Sequence, residues 1–165
     1  MDTQQDRLVH YLDDAWALEK ALVSMLEDMA DEVNDPEIRS LFEEHRATTH
    51  RHEENLEARI RALGKEPSKL KGVANRVIAK LGDVIHSAHD DYDKTAQHLM
   101  EAFAAEHLEM AMYESLASYA EAIGDEETAK LARDHFEDEE EAADKVWQMI
   151  APVAARPARA EIRTG

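Results

Sequence analysis

The sequence predicts an all-α protein, an antiparallel four-helix bundle with a long crossover (containing a short helix) between the second and third helices. Three observations predict it. Four separate segments carry an apolar stripe at alternating steps of three and four, the spacing that lines up one face of an α-helix. Tight turns at Asn34-Asp35-Pro36 and at Gly124-Asp125 join the first segment to the second and the third to the fourth, whereas Lys65 to Gly82 separate the second from the third. Only five Gly and four Pro occur among 165 residues, with aromatics at 5% and seven Met. Long helices need that balance.

The first helix starts near Thr3 and runs to about Val33, with the stripe Leu8, Leu12, Ala15, Glu19, Leu22, Leu26, Met29. Asp35-Pro36-Glu37 then supplies an N-cap, a proline at the first helical position and an acidic first turn. The second helix runs from Pro36 to Leu63 and stops at Gly64, with the stripe Ile38, Phe42, His45, Thr49, His52, Leu56. Pro67-Ser68 opens a short helix over Ser68 to Leu81 within the crossover. The third long helix begins between Asp83 and Asp90 and ends at Gly124; its stripe is Tyr92, Thr95, Leu99, Ala102, Glu106, Glu109, Tyr113, Leu116. Asp125 caps the fourth, whose stripe is His135, Glu139, Ala142, Val146, Met149 and which fades before Pro152. Residues 1–151 form the bundle, and Pro152 to Gly165, rich in Ala, Pro and Arg without periodicity, reads as a disordered basic tail.

Each stripe is interrupted by Glu or His, and a carboxylate facing a core costs several kcal/mol unless it is paired or binds a metal. The interruptions also fall at matching heights. Glu19 lies fifteen residues before Asn34 and Thr49 fifteen after it, with His52 one turn further; Glu109 and Glu139 lie fifteen residues either side of Gly124. Equal distances from a turn place residues side by side, because every residue of a helix rises by the same ~1.5 Å. The polar residues therefore share one layer.

A long crossover between helices two and three is the topology of ferritin-like bundles, in which two helices each donate Glu and the other two donate Glu-x-x-His toward the centre. The chain offers Glu19, His52, Glu106, Glu109 and Glu139 for that layer. Thr49 stands where a carboxylate three residues before His52 is wanted, and Ala142 where a histidine three residues after Glu139 is wanted. His45 and His135, both on inward stripes, are the available substitutes. Carboxylates with imidazoles suit iron or manganese, as a mononuclear or a dinuclear site.

The strings Asp14-Ala15-Trp16-Ala17-Leu18-Glu19, His45-x-x-x-Thr49-x-x-His52, Glu106-His107-Leu108-Glu109 with Tyr113, Gly124-Asp125-Glu126-Glu127-Thr128-Ala129, and Glu139, taken in order, resemble the YciE/YciF-like ferritin-like family. The resemblance covers roughly Gln5 to Ile150. It implies a ferritin-like helical protein linked to stress responses, with a dinuclear metal site and no assigned reaction.

Composition narrows the function classes. A net charge of −18 argues against wrapping nucleic acid. No apolar run is long enough to span a bilayer. The absence of cysteine excludes thiolate sites, and with Met-Asp-Thr-Gln-Gln-Asp-Arg lacking a secretory pattern the expected location is the cytoplasm. A homodimer is the expected assembly. Three functions stay open: an oxidoreductase acting on dioxygen or peroxide, with Glu106 or Glu109 bridging two ions; a metal buffer; or a degenerate bundle with a structural or interaction role and no metal chemistry. Whether the protein is an enzyme is left open.

Overall fold

The computed structural model describes residues 3–68 and 91–158, and among them lie four long helices and no strand. They are α1 (Gln4–Glu32), α2 (Pro36–Ala62), α3 (Asp91–Ile123) and α4 (Glu126–Ala154). The expected short helix over Ser68–Leu81 falls outside the described residues, apart from Ser68 itself.

Local chemistry sets the boundaries. The Thr3 hydroxyl accepts from the Asp6 amide while the Asp6 carboxylate accepts from the Thr3 amide, a reciprocal cap at the start of α1. Asp35 caps α2 through the amides of Glu37 and Ile38, with Pro36 in the first turn. Gly64 and Gly124 end α2 and α3 at φ of 76° and 78°. There Lys65 N donates to Ile60 O at 3.2 Å and Asp125 N to Ala120 O at 2.9 Å, closing each helix with a left-handed residue.

The apolar residues divide into two clusters. One gathers Leu8 and Leu12 of α1, Leu56 and Ile60 of α2, Tyr113 and Leu116 of α3, and Ala129 and Ala132 of α4. The other gathers Leu26 and Met29, Ile38 and Phe42, Leu99 and Ala102, Val146 and Val153. Helices α1 and α4 meet the clusters in one order, α2 and α3 in the reverse. Thus α2 and α3 run in the same direction, and the end of α2 and the start of α3 lie at opposite ends of the bundle. The side chains buried in these clusters, at about 1.5–3 kcal/mol for each Leu, Ile or Phe, hold the helices on either side of the polar layer.

One boundary differs from expectation. Instead of fading before Pro152 into a disordered tail, α4 continues to Ala154, and residues 156–158 remain helical. Pro152 is exposed, so the hydrogen bond it cannot make falls on a solvent face. Meanwhile Val153 is buried against the core and Arg156 pairs with Asp35. Tertiary contacts override the helix-breaking residue here. Residues 159–165 lie outside the described residues.

Candidate metal centre

Between the two apolar clusters, Glu19, His45, Thr49, His52, Glu106, Glu109, His135 and Glu139 are all buried. All seven residues read as ligands from the sequence lie in this one layer, contributed by all four helices. They form two groups, Glu19 with His52 and His135, and His45 with Glu106, Glu109 and Glu139; within each group one potential ligand atom per residue lies within 4.8 Å of the others.

Glu139 joins the groups. Its Oε1 lies 2.8 Å from Nδ1 of His52, and its Oε2 lies 3.4 Å from Nε2 of His45. Nδ1 of His45 is 2.9 Å from Oε1 of Glu106, and Nδ1 of His52 is 3.4 Å from Oε1 of Glu19. These atoms sit at ion-pair distance but off the line of a hydrogen bond. Both oxygens of Glu106, Glu109 and Glu139, both nitrogens of His45, Nδ1 of His52 and Nδ1 of His135 lack a hydrogen-bond partner. A buried polar group without a partner costs about 1–3 kcal/mol, so this density of orphaned donors and acceptors is unusual for a core.

Groups around the layer orient it. The Tyr113 hydroxyl donates to Oε1 of Glu19. Nε2 of His52 lies 3.0 Å from Oδ2 of Asp138, which also accepts from Arg51 at 2.9 Å. Asn55 Nδ2 lies 3.2 Å from Nε2 of His135. With the outer nitrogens engaged, Nδ1 of both rings is left for the layer.

Burial and charge act against each other in the layer. Burial raises the Glu109 carboxyl far above the usual range, and the negative charges of Glu139, Glu19 and Glu106 raise it further. Burial also lifts Glu106, to about 8, although His45 opposes the rise. For His45 and His52 burial disfavours the charged ring, but the carboxylates of Glu106, Glu139 and Glu19 outweigh it and hold both pKa values at about 10. His45 and His52 in turn hold Glu139 well below the ordinary carboxylate range, against its burial. Burial and then the charge on His52 push His135 down to about 3. The layer is thus charge-compensated by protons, which a cation would have to displace.

Seven ligand-type side chains from four helices, four of them carboxylates, match the inward-facing layer of ferritin-like bundles. The comparisons agree on fold and family. The profile described as "Domain of unknown function (DUF892)" matches residues 3–159, and the chain belongs to that family. Protein YciF of Escherichia coli (strain K12) is 30% identical over 141 residues, covering 84% of this chain and 85% of the relative. The crystal structure of the E. coli stress protein YciF is similar at a TM-score of 0.82 and 24% identity, over 93% of this chain and 98% of that one. A ferritin-like diiron-carboxylate protein from Bacillus anthracis str. Ames is similar at a TM-score of 0.74 and 18% identity, over 91% and 99%. No described helix is long and apolar enough to cross a membrane.

The roles of Asn55, Asp138 and Tyr113 were not visible in the sequence. Asn55 and His52 are three residues apart on α2, as Asp138 and His135 are on α4. That spacing marks them as neighbours of the site histidines but does not say that each would serve the histidine of the opposite helix.

Proposed function

We propose that the protein is a ferritin-like metalloprotein that holds two iron or manganese ions in the buried layer. One ion belongs to Glu19, His52 and His135, and the other to His45, Glu106, Glu109 and Glu139. The observation that carries this reading is the set of buried carboxylate and imidazole atoms that face one another without hydrogen bonds. Glu139, placed between His45 and His52, and Glu109, which feels the charges of Glu19, Glu106 and Glu139, are the carboxylates available to both groups. The donor set of oxygens with a minority of imidazoles fits iron or manganese.

When bound, such ions supply one-electron chemistry toward dioxygen or peroxide. The chain's own residues orient and enclose. Tyr113, Asp138 and Asn55 fix Glu19, His52 and His135 from outside, as partners of ligands do, and the two apolar clusters keep bulk water from the ends of the layer. The similarity to the E. coli stress protein YciF and to a diiron-carboxylate protein supports a role in stress, as an oxidoreductase or a metal buffer, and the cytoplasm is the location we favour. A homodimer is the assembly we favour, and its mass by light scattering tests that.

A second reading has an observation in its favour. His45–Glu106 and His52–Glu139 approach at 2.9 and 2.8 Å, so the layer compensates its charge without metal, as a degenerate structural site would. Thermal melting separates the two. Metal at a hundredfold excess over Kd stabilises by about 2.7 kcal/mol, on the order of 5–10 °C in Tm for a chain of this size. A melting temperature indifferent to Fe(II) and Mn(II) would leave the structural reading. Where metal binds, consumption of dioxygen or peroxide by the iron-loaded protein distinguishes oxidoreductase from buffer.

A further inference from the structure

Among the described residues, the polar layer is closed at both ends by apolar clusters but not along the seam between α2 and α4. There a pocket of about 170 Å³ opens, room for several water molecules. Its walls carry Glu44 and His45 from α2 and Asp138, Glu141, Ala142 and Lys145 from α4. Three carboxylates thus stand against one ammonium, and Lys145 is already paired with Glu141 at 2.8 Å. His45 lies at the inner side, only 7% exposed, with neither ring nitrogen hydrogen-bonded and with Glu106 and Glu139 directly behind it.

We propose that this pocket is the port through which hydrated divalent cations reach the buried layer, with His45 as the first ligand they meet. The proposal rests on the metal reading above and adds its route. Ala142 makes the port possible. One turn after Glu139 on α4, its single methyl leaves space that a larger side chain at that position would fill.

A second opening along the same seam is a poorer route. It is bordered by Arg51, Lys130, Asn55 and His135 and by the carboxylates of Glu126, Glu127, Asp134 and Asp138, and Asn55 caps the outward nitrogen of its histidine. Its charge balance does not differ from the port's; what sets it apart is the histidine, since His135 is engaged from outside whereas both ring nitrogens of His45 are without a hydrogen-bond partner. The Arg51–Asp138 pair, at 2.9 Å, lies between this opening and the port.

The test is Co(II) binding to the full chain, followed by stopped-flow absorbance. Ala142→Phe plugs the port without touching a ligand. It should slow association at least tenfold and slow dissociation in proportion, leaving Kd unchanged. The double variant E44Q/E141Q, two exposed changes that carry little folding risk, should slow association several-fold and flatten its salt dependence, because steering by surface charge is screened by salt. Wild-type association rates in A142F, or unchanged rates and salt dependence in E44Q/E141Q, overturn the port. Loss of affinity in A142F at an unchanged association rate also overturns it, since that marks damage to the site rather than a blocked path. A wild-type chain that takes up no Co(II) overturns the metal reading itself, a result distinct from any of these.

Discussion

The imidazole of His135 lies flat on that of His52, with ring centroids 3.8 Å apart and planes inclined by 19°. Their surroundings push the two rings in opposite directions. Burial disfavours charge on both, but Glu139 and Glu19 hold a proton on His52 up to about 10, whereas burial and the charge of His52 keep His135 neutral down to about 3. Glu19 and Glu139 are thus the counter-charges of the His52 side of the stack. Metal bound through Nδ1 of His52 must displace the proton there.

Metal loading should therefore release protons. At pH 7 the free layer carries protons on His45 and His52, held up to about 10, and on Glu106, held up to about 8. Ligands bind metal deprotonated, so affinity should fall as pH is lowered. Calorimetric titration with Mn(II) in buffers of different ionisation enthalpy should give a buffer-dependent heat equivalent to at least one proton per chain. A buffer-independent heat contradicts the protonated layer.

Glu109 and Glu139 should respond oppositely to replacement. Glu109 has negative neighbours and a carboxyl that burial keeps neutral, so Glu109→Gln closely imitates its metal-free form. Its apo stability should stay within about 0.5 kcal/mol of wild type, while the metal-dependent rise in Tm is lost. Glu139→Gln instead strips His45 and His52 of their shared counter-charge, and breaking a buried pair costs about 3–5 kcal/mol. Urea denaturation of both apo variants measures the contrast, and equal losses would count against the charge pattern described.

Arg59 binds the end of α2 to the start of α4. It donates to Thr128 at 2.7 Å, Asp125 at 2.7 and 2.8 Å, and Glu127 at 2.6 Å, with its side chain only 10% exposed. Arg59→Ala should cost about 2 kcal/mol, from hydrogen bonds to charged groups, and Arg51→Ala, at a largely exposed pair, less than about 1 kcal/mol. Burial opposes the Asp125 charge, but Thr128 and Arg59 hold its carboxyl below the ordinary 3.8. A depressed carboxyl contributes fully above its unfolded value and loses that contribution as pH falls through the folded one. The gap between wild type and R59A should thus be constant at neutral pH and shrink below pH ~4.

Gly64→Ala and Gly124→Ala should each destabilise by about 1 kcal/mol. A Cβ at either position meets nothing within 4 Å, so the whole cost is the positive φ of 76° or 78°. Thermal melts of the single variants check it. A neutral effect would show that the helix end relaxes to another conformation.

The height of the polar layer could be read from the sequence because helical rise is uniform: residues equidistant from Asn34 or Gly124 had to meet. Contacts between α2 and α4 could not, since these helices share no turn and their relative rotation depends on side-chain packing. Asn55 reaching His135 and Asp138 reaching His52 are of that kind. Asp138 was further hidden inside the acidic run 137–141, most of which is solvated. Glu106 and Glu109 were the sequence candidates for bridging; that Glu139 also turns one oxygen to His52 and the other to His45 is a placement no periodicity encodes. On α4, Ala142 and Met149 are only half-buried while Ala143 is buried, a drift of the stripe over a long helix. The extension past Pro152 escaped a local rule because its cause, Val153 in the core and Arg156 on Asp35, is tertiary.

The parallel course of α2 and α3 divides the chain into two hairpins, and neither owns a complete coordination group. Glu19 and His52 come from the first hairpin, and their companion His135 from the second. Glu106, Glu109 and Glu139 come from the second, and their companion His45 from the first. A cation in either group is consequently a cross-link between halves that the chain joins only through a long connection. If that connection were cut, the two fragments would be half-proteins, and their reassembly would itself report metal.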